Sequence, residues 1–306
     1  KLNIKNADDK QKVHLNKQIY LSEDFKILWD KVKFKTTYSV EFDTSELIKK
    51  CVESIQRELN VNSAKLVYSK AKVDITAGGI ETKEKDRHSV VATDLDQGLP
   101  DIISYLQNKT NLTRKTIVEI LKSSNTLNLF KKNPQVYMDE IAKIITSKMR
   151  LMIVDGIKYT KIGNEEYYAQ ELFEDQELFG YLSKNMIESN KSVYEHVIYD
   201  SENEALFAQK FEDNESIKLY VKLPDWFKIP TPLGTYNPDW AVLIEVDGEN
   251  KLYFVLETKG NILSEALRAS ERAKIDCGHK HFEGLGNDVI FKEIDNFSNF
   301  IEEVTV

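Results

Sequence analysis

The sequence predicts an α/β (α+β) protein. Three observations carry that expectation: runs of period-two alternation bounded by turn residues, amphipathic stretches spaced as one helix face, and a tract from 99 to 150 where only helical patterning occurs. At 306 residues, and taking ~150 residues per domain, about two domains are expected. The patterning divides the chain into a mixed α/β segment (1–98), a mostly helical region with a linker (99–199), and a C-terminal domain (200–306) ordered helix, three strands, helix, strand.

In the first segment, "VKFKTTYSVEF" (32–42) is rich in β-branched and aromatic residues and reads as strand. "TSELIKKCVESIQREL" (44–59) reads as a helix capped by Thr44 or Ser45, with Leu47, Ile48, Cys51, Val52, Ile55 and Leu59 on one face. "KLVYSKAKVDIT" (65–76) alternates as a strand, and 77–88 reads as a turn or mobile loop. In the helical region, two short helices around "NKTNL" have the outline of a helix-turn-helix, the second opening on Thr113, Arg114, Lys115 and Thr116. A plain helical packing module fits the same pattern better, because helix pairs joined by short turns are common. Residues 151–200 read as a connecting region.

The last third is clearest. A helix (201–212) opens on Ser201 with Glu204 at capping-box spacing. Strands follow at 216–223, 238–246 and 251–259, the last two joined by a hairpin turn at 247–250. A helix (263–276), a strand (288–294) and a final helix (296–304) complete the order.

Composition narrows the function classes. The chain is 41% apolar and 30% charged, as globular proteins are. No apolar run approaches the ~18 residues of a membrane helix. No Gly-Lys-Ser or Gly-Lys-Thr occurs, which excludes a phosphate-cradling P-loop from this sequence. Two distant cysteines, Cys51 and Cys277, argue against a disulfide framework and make a reducing cytoplasm the default. The net charge is -8, and residues 201–306 alone carry 11 basic against 20 acidic side chains. A phosphate-binding surface is normally basic, so a nuclease there must take its DNA affinity from elsewhere. The chain opens on Lys1 rather than Met, and a fragment of something longer is expected.

The candidate site lies in "NPDWAVLIEVDGENKLYFVLETKG" (237–260). Alternation places Glu257 and Lys259 on one face at the end of an apolar strand. A hairpin loop at 247–250 sets Asp239 opposite Thr258 or Lys259. Two carboxylates and an ammonium then converge at a sheet edge. Paired carboxylates repel and raise each other's pKa unless a cation lies between them. Hard oxygen ligands suit Mg²⁺, which neutralises charge on a phosphoryl oxygen, and a neighbouring lysine stabilises the transition state. A bare D…E-x-K spacing also fits a surface ion pair beside an unrelated aspartate. The Pro238-Asp239 start and the tight hairpin favour the site.

These residues resemble a known family. Pro238-Asp239 and Glu257-Thr258-Lys259 within an αβββαβ order are similar to the PD-(D/E)XK nuclease core. The strings "KLPDWFKIPTPLGTYNPDWAVL" (222–243), "YFVLETKG" (253–260), "KIDCGHKHF" (274–282), "LPDIISYLQNKTNLTRKTIVEIL" (99–121) and "YDSENEALFA" (199–208) resemble the C-terminal part of the Res subunit of type III restriction-modification enzymes. The resemblance implies a restriction-endonuclease-like core, Mg²⁺ held by Asp239 and Glu257, and Lys259 assisting the attacking water. It implies a double-stranded DNA substrate, a methyltransferase (Mod) subunit that reads the target sequence, and an ATP-driven motor belonging to the intact protein and missing here, in a prokaryotic cytoplasm. It also points to Glu204 as an added metal ligand, although a capping-box glutamate fits that position equally well. The alternative class is an inactive nuclease-fold module that binds or scaffolds.

Other candidates are weaker. Cys277, His279 and His281 form C-x-H-x-H, which does not match common zinc modules. His281 and Phe282 read instead as closing the helix against the sheet. Arg268 reads as a DNA phosphate contact, and Arg272 as an intrahelical partner of Glu265 or Glu271.

Overall fold

The computed structural model describes residues 10–63, 65–76, 79–91, 98–248, 250–258 and 265–305, and the side chains of these apart from 65–91, 250, 265–268 and 305. The chain forms two compact units, one from Lys1–Glu41 with Ile153–Val306 and one from Phe42–Met152.

The first unit begins with β1 (Lys10–Lys12), α1 (Lys17–Tyr20), α2 (Glu23–Val32) and β2 (Thr36–Val40). Ser22 caps α2 by accepting from the Phe25 N–H. The second unit holds α3 (Thr44–Glu58), the long hairpin β3 (Lys65–Thr76) and β4 (Gly79–Val91), then α4 (Ile102–Thr110), α5 (Arg114–Ser124), α6 (Leu127–Lys132) and most of α7 (Pro134–Gly156). Its helices share one core in which Leu47, Cys51, Ile55, Ile117, Ile120, Tyr137, Ile141 and Ile145 are fully buried. Asn111, in the left-handed conformation, ends α4, and Thr113 caps α5.

The chain then returns to the first unit through β5 (Ile157–Lys161), α8 (Leu172–Asp175), β6 (Phe179–Tyr181), β7 (Met186–Glu188) and β8 (His196–Ile198). The C-terminal portion adds α9 (Glu202–Asp213), β9 (Ile217–Lys222), β10 (Ile229–Thr231), β11 (Gly234–Tyr236), β12 (Trp240–Val246), β13 (Asn250–Thr258), α10 (Glu265–Leu285), β14 (Val289–Ile294) and α11 (Phe297–Thr305). The central sheet runs β14-β13-β12-β9. β12 pairs antiparallel with β9 and β13, whereas β13 and β14 are parallel and joined through α10.

Both faces of this sheet are buried, which explains why its strands read as nearly continuous apolar runs. One face sends Val221, Ala241, Leu243, Val255 and Phe291 into a core shared with α2 and α10. The other sends Tyr220, Trp240, Val242, Phe254 and Leu256 against Phe207 and Phe211 of α9 and Phe297 and Phe300 of α11. Trp29 anchors the first core, edge-on to Phe173 and Trp226, with its indole N–H donating to the Tyr168 carbonyl.

The α/β architecture and, for the central sheet, the helix, three strands, helix, strand order are as the sequence predicts; several details differ, among them the β10–β11 hairpin inserted between β9 and β12. The boundaries at 98/99 and 199/200 do not coincide with the observed units. Residues 10–41 and 153–199 fold with the C-terminal sheet, since β2 pairs with β5, β1 pairs with β6, and Phe173, Met186, Val193 and Tyr194 enter its core. Residues 79–88 are strand rather than loop, paired with β3 in a ribbon whose charged composition hides its pattern. Asp43, not Thr44 or Ser45, caps α3. The strand expected over 32–42 is confined to 36–40, because α2 extends to Val32. The helix expected over 263–276 runs to Leu285, burying His281 and Phe282. Among the described residues, no helix is long and apolar enough to cross a membrane.

Candidate active site

Asp239 follows Pro238 immediately before β12, and its carbonyl accepts from the Leu223 N–H at 2.8 Å, which ties it to the end of β9. Glu257 is the penultimate residue of β13. Val246 pairs with Asn250, so the hairpin loop has three residues and the register is tighter than the sequence suggests. Trp240 pairs with Leu256, which brings Asp239 level with Glu257 rather than with Thr258 or Lys259. The left-handed conformations of Asp247 and Gly248 make this loop possible.

Each carboxylate is held by a specific donor. Asp239 Oδ2 accepts from the Thr258 N–H at 2.7 Å and from the Thr258 hydroxyl at 2.5 Å. Glu257 Oε2 accepts from the Tyr236 hydroxyl at 2.5 Å. Among the described residues no donor reaches Asp239 Oδ1 or Glu257 Oε1. Both acids are half-buried by surface area, so solvent still reaches the pair.

The electrostatics follow from this crowding. Burial pushes the Glu257 carboxyl up to about 8, the Asp239 charge adds to the rise, and the Tyr236 hydrogen bond opposes it. Burial also raises Asp239, against the hydrogen bonds from Thr258. Glu293 lies beside Glu257 in the parallel register of β14 and is paired with Arg272 at 2.7 Å. Two acids that resist ionising together call for a proton or a cation between them.

Glu204 occupies the helix start. Its N–H donates to Ser201 Oγ at 3.2 Å, and its Oε2 accepts from the Asp200 N–H at 2.9 Å and from Lys222 Nζ at 2.7 Å. Lys222 also reaches Asp200 at 2.6 Å. Half of the expected capping box is therefore present, the carboxylate folding back to the residue before the cap instead of to Ser201, while its negative charge is still felt at Asp239. Lys259 and the side chain of Arg268 lie outside the described residues. Arg272 is ion-paired with Asp276 and Glu293; the side chain of Glu265 lies outside the described residues.

The C-x-H-x-H side chains are engaged separately. Cys277 contacts the Tyr159 hydroxyl, His279 pairs with Glu283, and His281 Nδ1 shares a hydrogen bond with Thr36 at 2.8 Å. Burial drops His281 to about 3, so it is neutral. Among the described residues, no group of three or more His, Cys, Asp or Glu is arranged to hold a metal ion. The Asp239–Glu257 pair is the donor set that fits Mg²⁺, a cation commonly bound through one or two carboxylates and several waters.

Sequence reasoning missed Tyr236 and Lys222. Tyr236 reads as an ordinary core aromatic, although its place three residues before Asp239 was the available signal. Lys222 reads as one polar position of an alternating strand.

Residues 190–297 match a family model described as an endonuclease domain. The match begins in the loop before β8 and ends at the start of α11, so it spans the sheet and both carboxylates. The chain is 32% identical over 111 residues to the Res subunit of the type III restriction-modification enzyme EcoPI from Escherichia phage P1, and equally to that of EcoP15I from Escherichia coli. Each alignment covers 35% of this chain and 11% of the relative. The endonuclease domain is thus related to type III Res subunits, and the chain matches about a tenth of their length. No solved structure matches.

Proposed function

We propose that this chain carries the Mg²⁺-dependent nuclease centre of a type III restriction enzyme, hydrolysing phosphodiester bonds of double-stranded DNA. The observation that carries this reading is the crowded Asp239–Glu257 pair at adjoining strand ends, inside the stretch related to Res endonuclease domains. Asp239 and Glu257 would hold the ion through the carboxylate oxygens that donors among the described residues leave unused. Magnesium bound there supplies charge neutralisation at the phosphoryl oxygens. Lys259, next but one to Glu257 in the sequence, would orient the attacking water and stabilise the charge that develops in the transition state. Lys222 already neutralises Glu204 and holds its Oε2, so a two-carboxylate site is the preferred form. Arg268, on the helix following the catalytic strand, contacts DNA phosphate.

By its similarity to type III Res subunits, the nuclease part is proposed to work with an ATP-driven motor and with a methyltransferase subunit that selects the site. The free, buried Cys51 and Cys277 fit a reducing prokaryotic cytoplasm. The acidic balance of residues 201–306 implies that the isolated chain binds duplex DNA weakly, with local concentration supplied by its partners.

The test is DNA cleavage by the intact enzyme complex carrying Asp239→Ala, Glu257→Ala or Lys259→Ala. Each is expected to abolish cutting and leave ATP hydrolysis in place. Wild-type cutting by any of the three contradicts the assignment and favours the inactive binding module.

A further inference from the structure

We propose that Tyr236 is the positioning residue of the candidate metal site, its hydroxyl fixing the Glu257 carboxylate in one orientation, and that Gly278 is the gap in helix packing through which the ring reaches it. This inference rests on the reading of Asp239 and Glu257 as metal ligands. Tyr236 closes β11 three residues before Asp239 and is 5% exposed. A buried phenol hydroxyl needs a partner, and this one donates to Glu257 Oε2 at 2.5 Å. The ring stands edge-on to Phe291, with centroids 6.4 Å apart.

Gly278 lies well inside α10, where glycine costs backbone entropy. Its φ is not positive, so no left-handed turn requires it. The neighbouring ring does: a Cβ at 278 would stand 2.3 Å from Tyr236 Cε1 and 2.8 Å from Cδ1. Two costly choices, a buried hydroxyl and a mid-helix glycine, therefore serve one hydrogen bond. Its effect is to occupy Oε2 and leave Oε1 without a donor among the described residues, as the Thr258 donors do for Asp239. Tyr236 orients a ligand and does not itself touch substrate.

The experiment is Mn²⁺ binding to the 306-residue chain by titration calorimetry, for wild type, Tyr236→Phe, Gly278→Ala and Glu257→Gln, with melting temperatures measured in EDTA. Tyr236→Phe keeps the ring and loses only the donor. It is expected to weaken Mn²⁺ binding roughly 10-fold or more, the usual effect of removing a partner behind a metal ligand, while its melting temperature stays near wild type. Gly278→Ala keeps the hydroxyl and displaces the ring, and the same weakening is expected. If that variant does not fold, Tyr236→Phe decides alone. Wild-type affinity in Tyr236→Phe, beside a loss in Glu257→Gln, overturns the positioning role and leaves the metal site standing. Unchanged affinity in Glu257→Gln, or no binding by the wild type, overturns both.

Discussion

Replacing the Glu257 carboxylate by an amide should flatten the pH dependence of stability in the metal-free chain. Folding raises Glu257 from the ordinary 4.5 to about 8. Between those values the folded chain holds a proton that the unfolded chain has released. The contribution is therefore fully present below the unfolded value and is lost as pH rises through the folded one. At about 1.4 kcal/mol for each tenfold change in proton affinity, the ceiling is roughly 5 kcal/mol. Water reaching the half-buried group reduces this to about 2–3 kcal/mol. For a unit of this size that corresponds to a fall in melting temperature of roughly 5–10 °C. The assay is thermal unfolding in EDTA from pH 5 to 9, for wild type and Glu257→Gln. Wild type should lose stability across the window. The variant should lose most of that slope. A flat wild-type profile, or the same slope in both proteins, refutes the crowding on which the site is built.

Thr258→Val removes the hydroxyl donor to Asp239 but keeps the N–H; urea unfolding should show a cost of about 1 kcal/mol, and calorimetry a several-fold weaker Mn²⁺ affinity. Glu204→Gln breaks the Lys222 pair and should cost about 1–2 kcal/mol without changing Mn²⁺ affinity; a tenfold loss of affinity would instead place this carboxylate on the metal. Trp29→Ala removes a side chain that is 1% exposed and packed among Phe25, Phe173, Trp226 and Phe227; equilibrium unfolding should show a loss of roughly 3–5 kcal/mol.

The C-terminal order was legible because β9, β12 and β13 are covered on both faces, so their apolar runs and bounding turns stand out. Asp239 and Glu257 were legible as polar interruptions at the ends of those runs. The hairpin register was harder: a three-residue loop and a four-residue loop differ only in whether Asn250 opens the second strand or belongs to the turn. The charged sequence of β4 gave no apolar period, although its partner β3 did, and the strand pairs β2–β5 and β1–β6 join residues more than a hundred positions apart. Tyr236 escaped because its value to the site comes from Gly278, far along the chain, and not from its neighbours in sequence.

The most direct measurement is anomalous diffraction from crystals of the chain soaked in Mn²⁺. A cation between Asp239 and Glu257 is expected, with carboxylate oxygens at about 2.1–2.2 Å and Tyr236 and Thr258 still donating to the opposite oxygens. An empty cleft at saturating Mn²⁺, with the ion bound elsewhere or not at all, would contradict the metal-dependent nuclease centre.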